Sequence, residues 1–118
     1  MRFKKNWKWE IGRQALMLKA KIPYFKLLVL SGRTFDIYLL KFPEGSRLVP
    51  HKDPVDGKRH YRVNVVLRPA EQGGIFLCNG AWVNFPRFKF FRPDQLTHGV
   101  SKIEKGERLV LSIGWVRS

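Results

Sequence analysis

At 118 residues the chain has room for one hydrophobic core and not for a second. Its 44% hydrophobic content can fill a core, its single cysteine, Cys78, excludes an internal disulfide, and no apolar run approaches the ~20 residues of a membrane-spanning helix. The charge is the unusual term: 23 Lys and Arg against 9 Asp and Glu give +14, a field that attracts polyanions.

In chain order, residues 1–9 interleave Phe3, Trp7 and Trp9 with Lys4, Lys5 and Lys8. This pattern suits stacking on nucleic-acid bases, or an arm packed over the domain by its rings. From Trp9 to Lys21 the apolar residues Ile11, Ala15, Leu16 and Leu18 fall toward one face, which predicts the one substantial helix, ended by Ile22-Pro23. The remainder reads as strands. Phe25–Leu30 stops at Ser31-Gly32, and Phe35–Phe42 ends at the turn Pro43-Glu44-Gly45. A strand over Arg47–Asp53 precedes a loop at Asp56-Gly57. Tyr61–Leu67 alternates, with Arg62, Asn64 and Val66 on one side. A strand over Gly74–Cys78 leads to Asn79-Gly80, a hairpin signal. Val83–Phe91 holds one or two strands around Pro86, Gly99–Ile103 is short, and Leu109–Val116 is a long apolar strand. Eight or nine short strands after one helix predict a mostly β fold, a jelly-roll, cupin-like barrel or double-stranded β-helix. The chain is read as a single domain, with a basic arm and helix over 1–24 and the barrel over 25–118.

Three histidines are present: His51, His60 and His98. His51 and Asp53 stand at i and i+2, on one face of an extended strand. His98 lies at a loop-to-strand junction, where its side chain can enter a barrel mouth. Singly, each reads as a surface or structural residue. Together, two histidines and one carboxylate suit non-haem Fe(II), with positions left for co-substrate and oxygen; Zn(II) takes the same ligands, usually with a fourth. His60 follows Lys58-Arg59 in a basic loop, fits no ligand spacing and is expected at the surface. Cys78 has no partner that would activate it and is expected to be a small buried residue. Arg108 opens the last apolar strand, where burial is costly unless it meets an anion. Alternation puts Ser112 on its face, so the two are expected to hold one carboxylate together.

His51-x-Asp53, His98, Arg108 ten residues later and Ser112 beyond it resemble the Fe(II)/2-oxoglutarate-dependent oxygenases, most nearly the prolyl-hydroxylase-like branch. The resemblance runs from about Phe35 to Trp115. It includes the turn Phe42-Pro43-Glu44-Gly45, the Gly73-Gly74 turn, Phe91-Arg92-Pro93 and the approach Gly106-Glu107-Arg108 to the last strand. It implies Fe(II) on His51, Asp53 and His98, and 2-oxoglutarate with its distal carboxylate on Arg108 and Ser112. It also implies O2 as oxidant, succinate and CO2 as products, and hydroxylation of a C–H bond. Tyr38 and Asn64 stand where related enzymes contact co-substrate. Arg62 shares the face of Asn64 and could meet substrate, although an ordinary strand role suits it as well. Phe42 lacks the hydroxyl often found at its position in prolyl hydroxylases, so Tyr38 or Asn64 is expected to supply a donor. The resemblance suggests a protein or peptide substrate and the charge a nucleic acid. A non-catalytic basic nucleic-acid-binding module, or a cupin-like metalloenzyme without 2-oxoglutarate, is the alternative. A cytoplasmic location without membrane attachment is expected, and self-association is left open.

Overall fold

β-branched and aromatic side chains at alternate positions make most of this chain strand. The computed structural model of the protein describes residues 3–55 and 57–118; Met1, Arg2 and Asp56, the last in the loop expected at Asp56-Gly57, lie outside the described residues. Twelve strands are formed among the described residues. They are β1 (Lys4–Ile11), β2 (Phe25–Ser31), β3 (Phe35–Phe42), β4 (Leu48–His51), β5 (Arg59–Arg68), β6 (Gln72–Gly73), β7 (Phe76–Cys78), β8 (Val83–Asn84), β9 (Phe88–Phe91), β10 (His98–Val100), β11 (Ile103–Lys105) and β12 (Arg108–Arg117). The main sheet runs β1-β2-β3-β12-β5-β9-β8, a second sheet runs β4-β10-β7, and β11 pairs with β6. The last strand lies between β3 and β5, antiparallel to both, which is the crossing expected of a jelly roll.

The expected helix is not formed over Trp9–Lys21. Trp9 to Ile11 complete β1, paired through Glu10↔Lys26 and Ile11↔Phe25, so the basic segment is an edge strand of the main sheet and not a prefix to it. Helix α1 spans only Arg13–Met17 and has no side-chain cap. Its Leu16, Met17 and Leu18 are exposed and Ala15 alone is buried, so the apolar periodicity there marks no core face. Strand pairing over Trp9–Ile11 outcompetes a helix that has so little to bury. Gly12 makes the corner, where a Cβ would fall on the Tyr24 ring. Asn79-Gly80 does turn the chain, with Gly80 at φ 88°, but β7 and β8 belong to different sheets, so the turn is a crossing between them. The hairpin is the next one, β8–β9, closed by Phe85 N–H to the Phe88 carbonyl at 2.9 Å.

Alternation on β3, β5, β9 and β12 sends one set of side chains into the barrel. Cross-strand neighbours on β3, β12 and β5 form rungs, Leu40–Val110–Val66 and Tyr38–Ser112–Asn64, with Phe42 beside Arg108. Phe42, Val66, Val110, Phe91 and Ile103 are almost fully buried, and Phe76 and Val100 close the core from the second sheet. Polar residues at Asn64, Ser112 and Arg108 interrupt this core on the side facing β4 and β10. There the barrel contains a cavity.

Candidate metal centre

His51 ends β4 and His98 begins β10, and the two are directly paired. A Cβ at Gly99 would stand 2.6 Å from the Leu48 carbonyl oxygen and 3.0 Å from the Pro50 nitrogen, so glycine beside His98 permits this close approach. Asp53 follows β4, and its N–H donates to the Pro93 carbonyl at 2.8 Å, which ties the loop to the segment leading into β10. The imidazole centroids are 4.5 Å apart. Asp53 Oδ1 is 3.3 Å from His51 Nε2, and Oδ2 is 3.3 Å from His98 Nε2. One ligand atom from each of the three lies within 4.8 Å of the others.

The outer nitrogens are committed to the backbone. His51 Nδ1 donates to the Val49 carbonyl at 2.8 Å and His98 Nδ1 to the Leu96 carbonyl at 3.0 Å. Each of these bonds puts the ring proton on Nδ1 and aims Nε2 at Asp53, as a metal-ligating imidazole requires. Burial would raise the Asp53 carboxyl, but the hydrogen bonds from His51 and His98 and their charge hold it well below the usual carboxylate range. Burial works against protonation of His51, yet Asp53 and the Val49 carbonyl push it above the ordinary histidine value. A proton shared between carboxylate and imidazole thus holds together groups that a divalent cation would hold as well. The residues fit a two-histidine, one-carboxylate metal.

The triad opens on a cavity of about 350 Å³ whose wall carries Tyr38, Asn64, Arg108 and Ser112. Arg108 is 5% exposed; Nη1 donates to the Gly74 carbonyl at 2.8 Å, Nε has no partner, and no carboxylate among the described residues pairs with it. Burial lowers its pKa. Arg108 and Ser112 share a face and line the same cavity. Four residues of strand separate them by about 13 Å. Ser112 Oγ donates to Asn64 Oδ1 at 2.6 Å and accepts from Arg62 Nη1 at 2.7 Å. The Ser112 hydroxyl is thus engaged within the protein, as the hub of a network that continues from Arg62 Nη2 to Asp36 Oδ1 at 2.7 Å. Gly114 leaves room for it, since a Cβ there would meet the Arg62 guanidinium. Tyr38 is half-buried beneath Lys26 Nζ, 5.7 Å from its ring centroid, and burial with the nearby Asp36 raises its hydroxyl.

His60 is not at the surface. It is 8% exposed, lines the cavity, and approaches Arg62 Nη2 through Nε2 at 3.3 Å, while its Nδ1 has no partner. Burial and the Arg62 charge lower its pKa. Extending the alternation of Arg62, Asn64 and Val66 back by two residues places it there; the basic loop before it masks that signal. Tyr24 carries a hydroxyl to the cavity wall, its ring stacked 5.0 Å from Phe42 and its oxygen accepting the Gln14 N–H at 3.3 Å. This contact of Tyr24 with Phe42 is one that no local sequence pattern reveals. Cys78 is half-buried and burial pushes its thiol up, so it is an unreactive packing residue.

No protein-family model matches the chain, and a comparison with curated proteins finds no match. Solved structures do resemble it. An RmlC-like cupin from Shewanella frigidimarina NCIMB 400 is 14% identical, with a TM-score of 0.59 over 100% of this chain and 96% of its own. A viral collagen prolyl hydroxylase from Paramecium Bursaria Chlorella virus-1, solved as a 2OG complex, is 16% identical, with a TM-score of 0.56 over 94% and 78%. A Pseudomonas putida prolyl-4-hydroxylase is 24% identical, with a TM-score of 0.54 over 70% of this chain and 50% of the longer enzyme. At these identities the likeness speaks for the fold alone. The chain is a cupin-type jelly roll, an architecture it has in common with prolyl hydroxylases and with cupins of other kinds.

Proposed function

We propose that this chain is an Fe(II)/2-oxoglutarate-dependent dioxygenase that hydroxylates a C–H bond of its substrate, with release of succinate and CO2. The observation that carries the reading is the pairing of two unmatched features in one cavity. His51, Asp53 and His98 present a converging donor set, and Arg108 is a buried cation with no counter-anion among the described residues. A buried guanidinium without a carboxylate is stable only at a cost that a ligand's carboxylate offsets.

In this reading His51, Asp53 and His98 hold Fe(II), which supplies oxygen activation coupled to decarboxylation of the keto acid. The Val49 and Leu96 carbonyls fix the imidazoles in the ligating tautomer. Arg108 receives the distal carboxylate of 2-oxoglutarate. Tyr24, Tyr38 and Asn64 offer polar groups along its path, and the Ser112 network keeps Asn64 oriented. Phe76, Phe91 and Val100 keep water from the inner end.

The test is Fe(II) and 2-oxoglutarate binding together with succinate formation, wild type against Asp53→Ala. Metal-dependent succinate lost in the variant supports the reading, and a wild type that takes up no Fe(II) sinks it. Iron and 2-oxoglutarate binding with no turnover on any candidate substrate would favour a binding module on the same fold.

A further inference from the structure

The four tryptophans take no part in the core. Trp7, Trp9 and Trp82 are 67%, 40% and 58% exposed, and Trp115 points away from the barrel, on the face of β12 opposite Ser112. Rings of this size are usually among the most buried side chains. Here Tyr61, Trp82, Phe90 and Trp115 form a surface cluster on the outer face of the main sheet. Tyr61 stacks on Trp82 at 5.9 Å and on Trp115 at 5.8 Å, and Phe90 meets Trp82 at 5.0 Å. The Arg92 guanidinium lies 5.4 Å from the Tyr61 ring centroid while it pairs with Asp94.

The cluster adjoins the candidate metal centre. Tyr61 follows His60, so the patch and the cavity wall are opposite faces of one strand. Arg92 precedes Pro93, whose carbonyl holds the Asp53 N–H. The charge around the cluster is mostly basic, with Asp94 paired to Arg92 as its acid. Arg59 and Arg117 are cross-strand neighbours beside Tyr61 and Trp115. In the strands β2, β3, β5, β9 and β12 the single acid is Asp36, which turns inward to Arg62. A second copy of the chain would bring basic rim against basic rim. An acidic peptide would satisfy the rim and leave the stacked rings without a planar partner.

Resting on the dioxygenase reading, we propose that the primary substrate is a single-stranded nucleic acid, bound across the Tyr61–Trp82–Phe90–Trp115 cluster with phosphates on Arg59, Arg92 and Arg117. Bases stack on exposed rings while the basic rim follows the backbone. In this proposal the strand turns over the start of β5, where Tyr61 on the outer face and His60 on the cavity wall are consecutive, and a single-stranded base enters without the cost of leaving a duplex.

The experiment is a tryptophan-fluorescence titration of the full chain, without added metal, against oligothymidylate and oligouridylate of about 12 nucleotides. Quenching with an affinity that falls steeply as salt rises is expected. Trp82→Ala weakens binding by about ten-fold or more, and Trp82→Phe restores most of it. Changing Lys4, Lys5 and Lys8 to Gln on the far edge costs less than the single Trp82→Ala change. Asp53→Ala binds the oligonucleotide like wild type, so a failure of this proposal and a failure of the iron reading are separate results. Equal affinity for poly-glutamate overturns the proposal, as does a flat salt profile, an unchanged Trp82→Ala, or a dimer that Trp82→Ala disrupts.

Discussion

Arg108 carries a charge where the described residues give it one main-chain carbonyl and nothing anionic. Replacing a buried, unpaired charge with an apolar side chain of similar length is commonly neutral or stabilising. Arg108→Met should therefore keep or raise the melting temperature of the ligand-free protein, while losing 2-oxoglutarate affinity by about 30-fold or more, as truncation of a buried charge partner does. Iron affinity should change little, and calorimetric titrations of metal and keto acid separate the two effects. Ser112→Ala differs in kind. It leaves the buried Asn64 amide oxygen and one Arg62 donor unsatisfied, a loss of about 1–3 kcal/mol measurable by urea unfolding. The triad titrates in opposing senses. His51 is raised in the folded state, so its contribution to ligand-free stability is present below the ordinary histidine value and is lost as pH rises through its folded value. Asp53 is lowered, so its contribution holds above the ordinary carboxylate value and is lost only in acid. The metal competes with the His51 proton. His60, lowered by burial and Arg62, pulls the other way over the same range. Melting curves at about pH 6 and about pH 8 should therefore be compared with those of His51→Gln: wild type should lose more of its advantage over the variant toward the higher pH, and added Fe(II) or a redox-inert divalent substitute should restore it.

At the scale of elements, the site depends on how closely β10 lies against β4. Gly99→Ala places a methyl against the Leu48 carbonyl and Pro50, forcing the strands apart and moving His98 from His51. Metal affinity should fall by about 10- to 100-fold, the range seen when groups that orient ligands are disturbed. Circular dichroism should still report a folded sheet, because β5, β12 and β3 hold their own pairing. The N-terminal segment shows the same scale from the other side. Trp9 and Ile11 satisfy a helical pattern as readily as an extended one, and pairing with β2 decides between them.

Over the whole molecule, 23 basic residues stand against 9 acids. Self-repulsion at that ratio opposes compaction, and salt relieves it as the Debye length shortens from about 30 Å at 0.01 M to about 8 Å at 0.15 M. The melting temperature should rise by a few degrees over that range of NaCl, opposite in sign to the effect of salt on oligonucleotide binding. Among the described residues no helix is long and apolar enough to cross a membrane. The main sheet instead has two different faces: a cavity lined by polar and ionisable groups inside, and aromatic and aliphatic side chains outside. Both faces come from the same alternation along β5 and β12.

Period-two alternation by itself determined much of this protein: the β class, the bounds of β3, the shared faces of Arg62 with Asn64 and of Arg108 with Ser112, and the common face of His51 and Asp53, to which His98 was joined by its loop-to-strand position and the family resemblance. Side-chain direction along a strand is a local property, so a linear pattern carries it. Tertiary structure decided what depends on neighbours distant in sequence. The bonds of His51 and His98 to the Val49 and Leu96 carbonyls depend on how β4 and β10 meet. Tyr24 reaches Phe42, and Arg62 reaches Ser112, across strand pairings 18 and 50 residues apart. His60 enters the cavity because β5 begins two residues earlier than its basic prefix suggests. Alternation fixes which way a side chain points, and only the register of the sheets fixes what it meets.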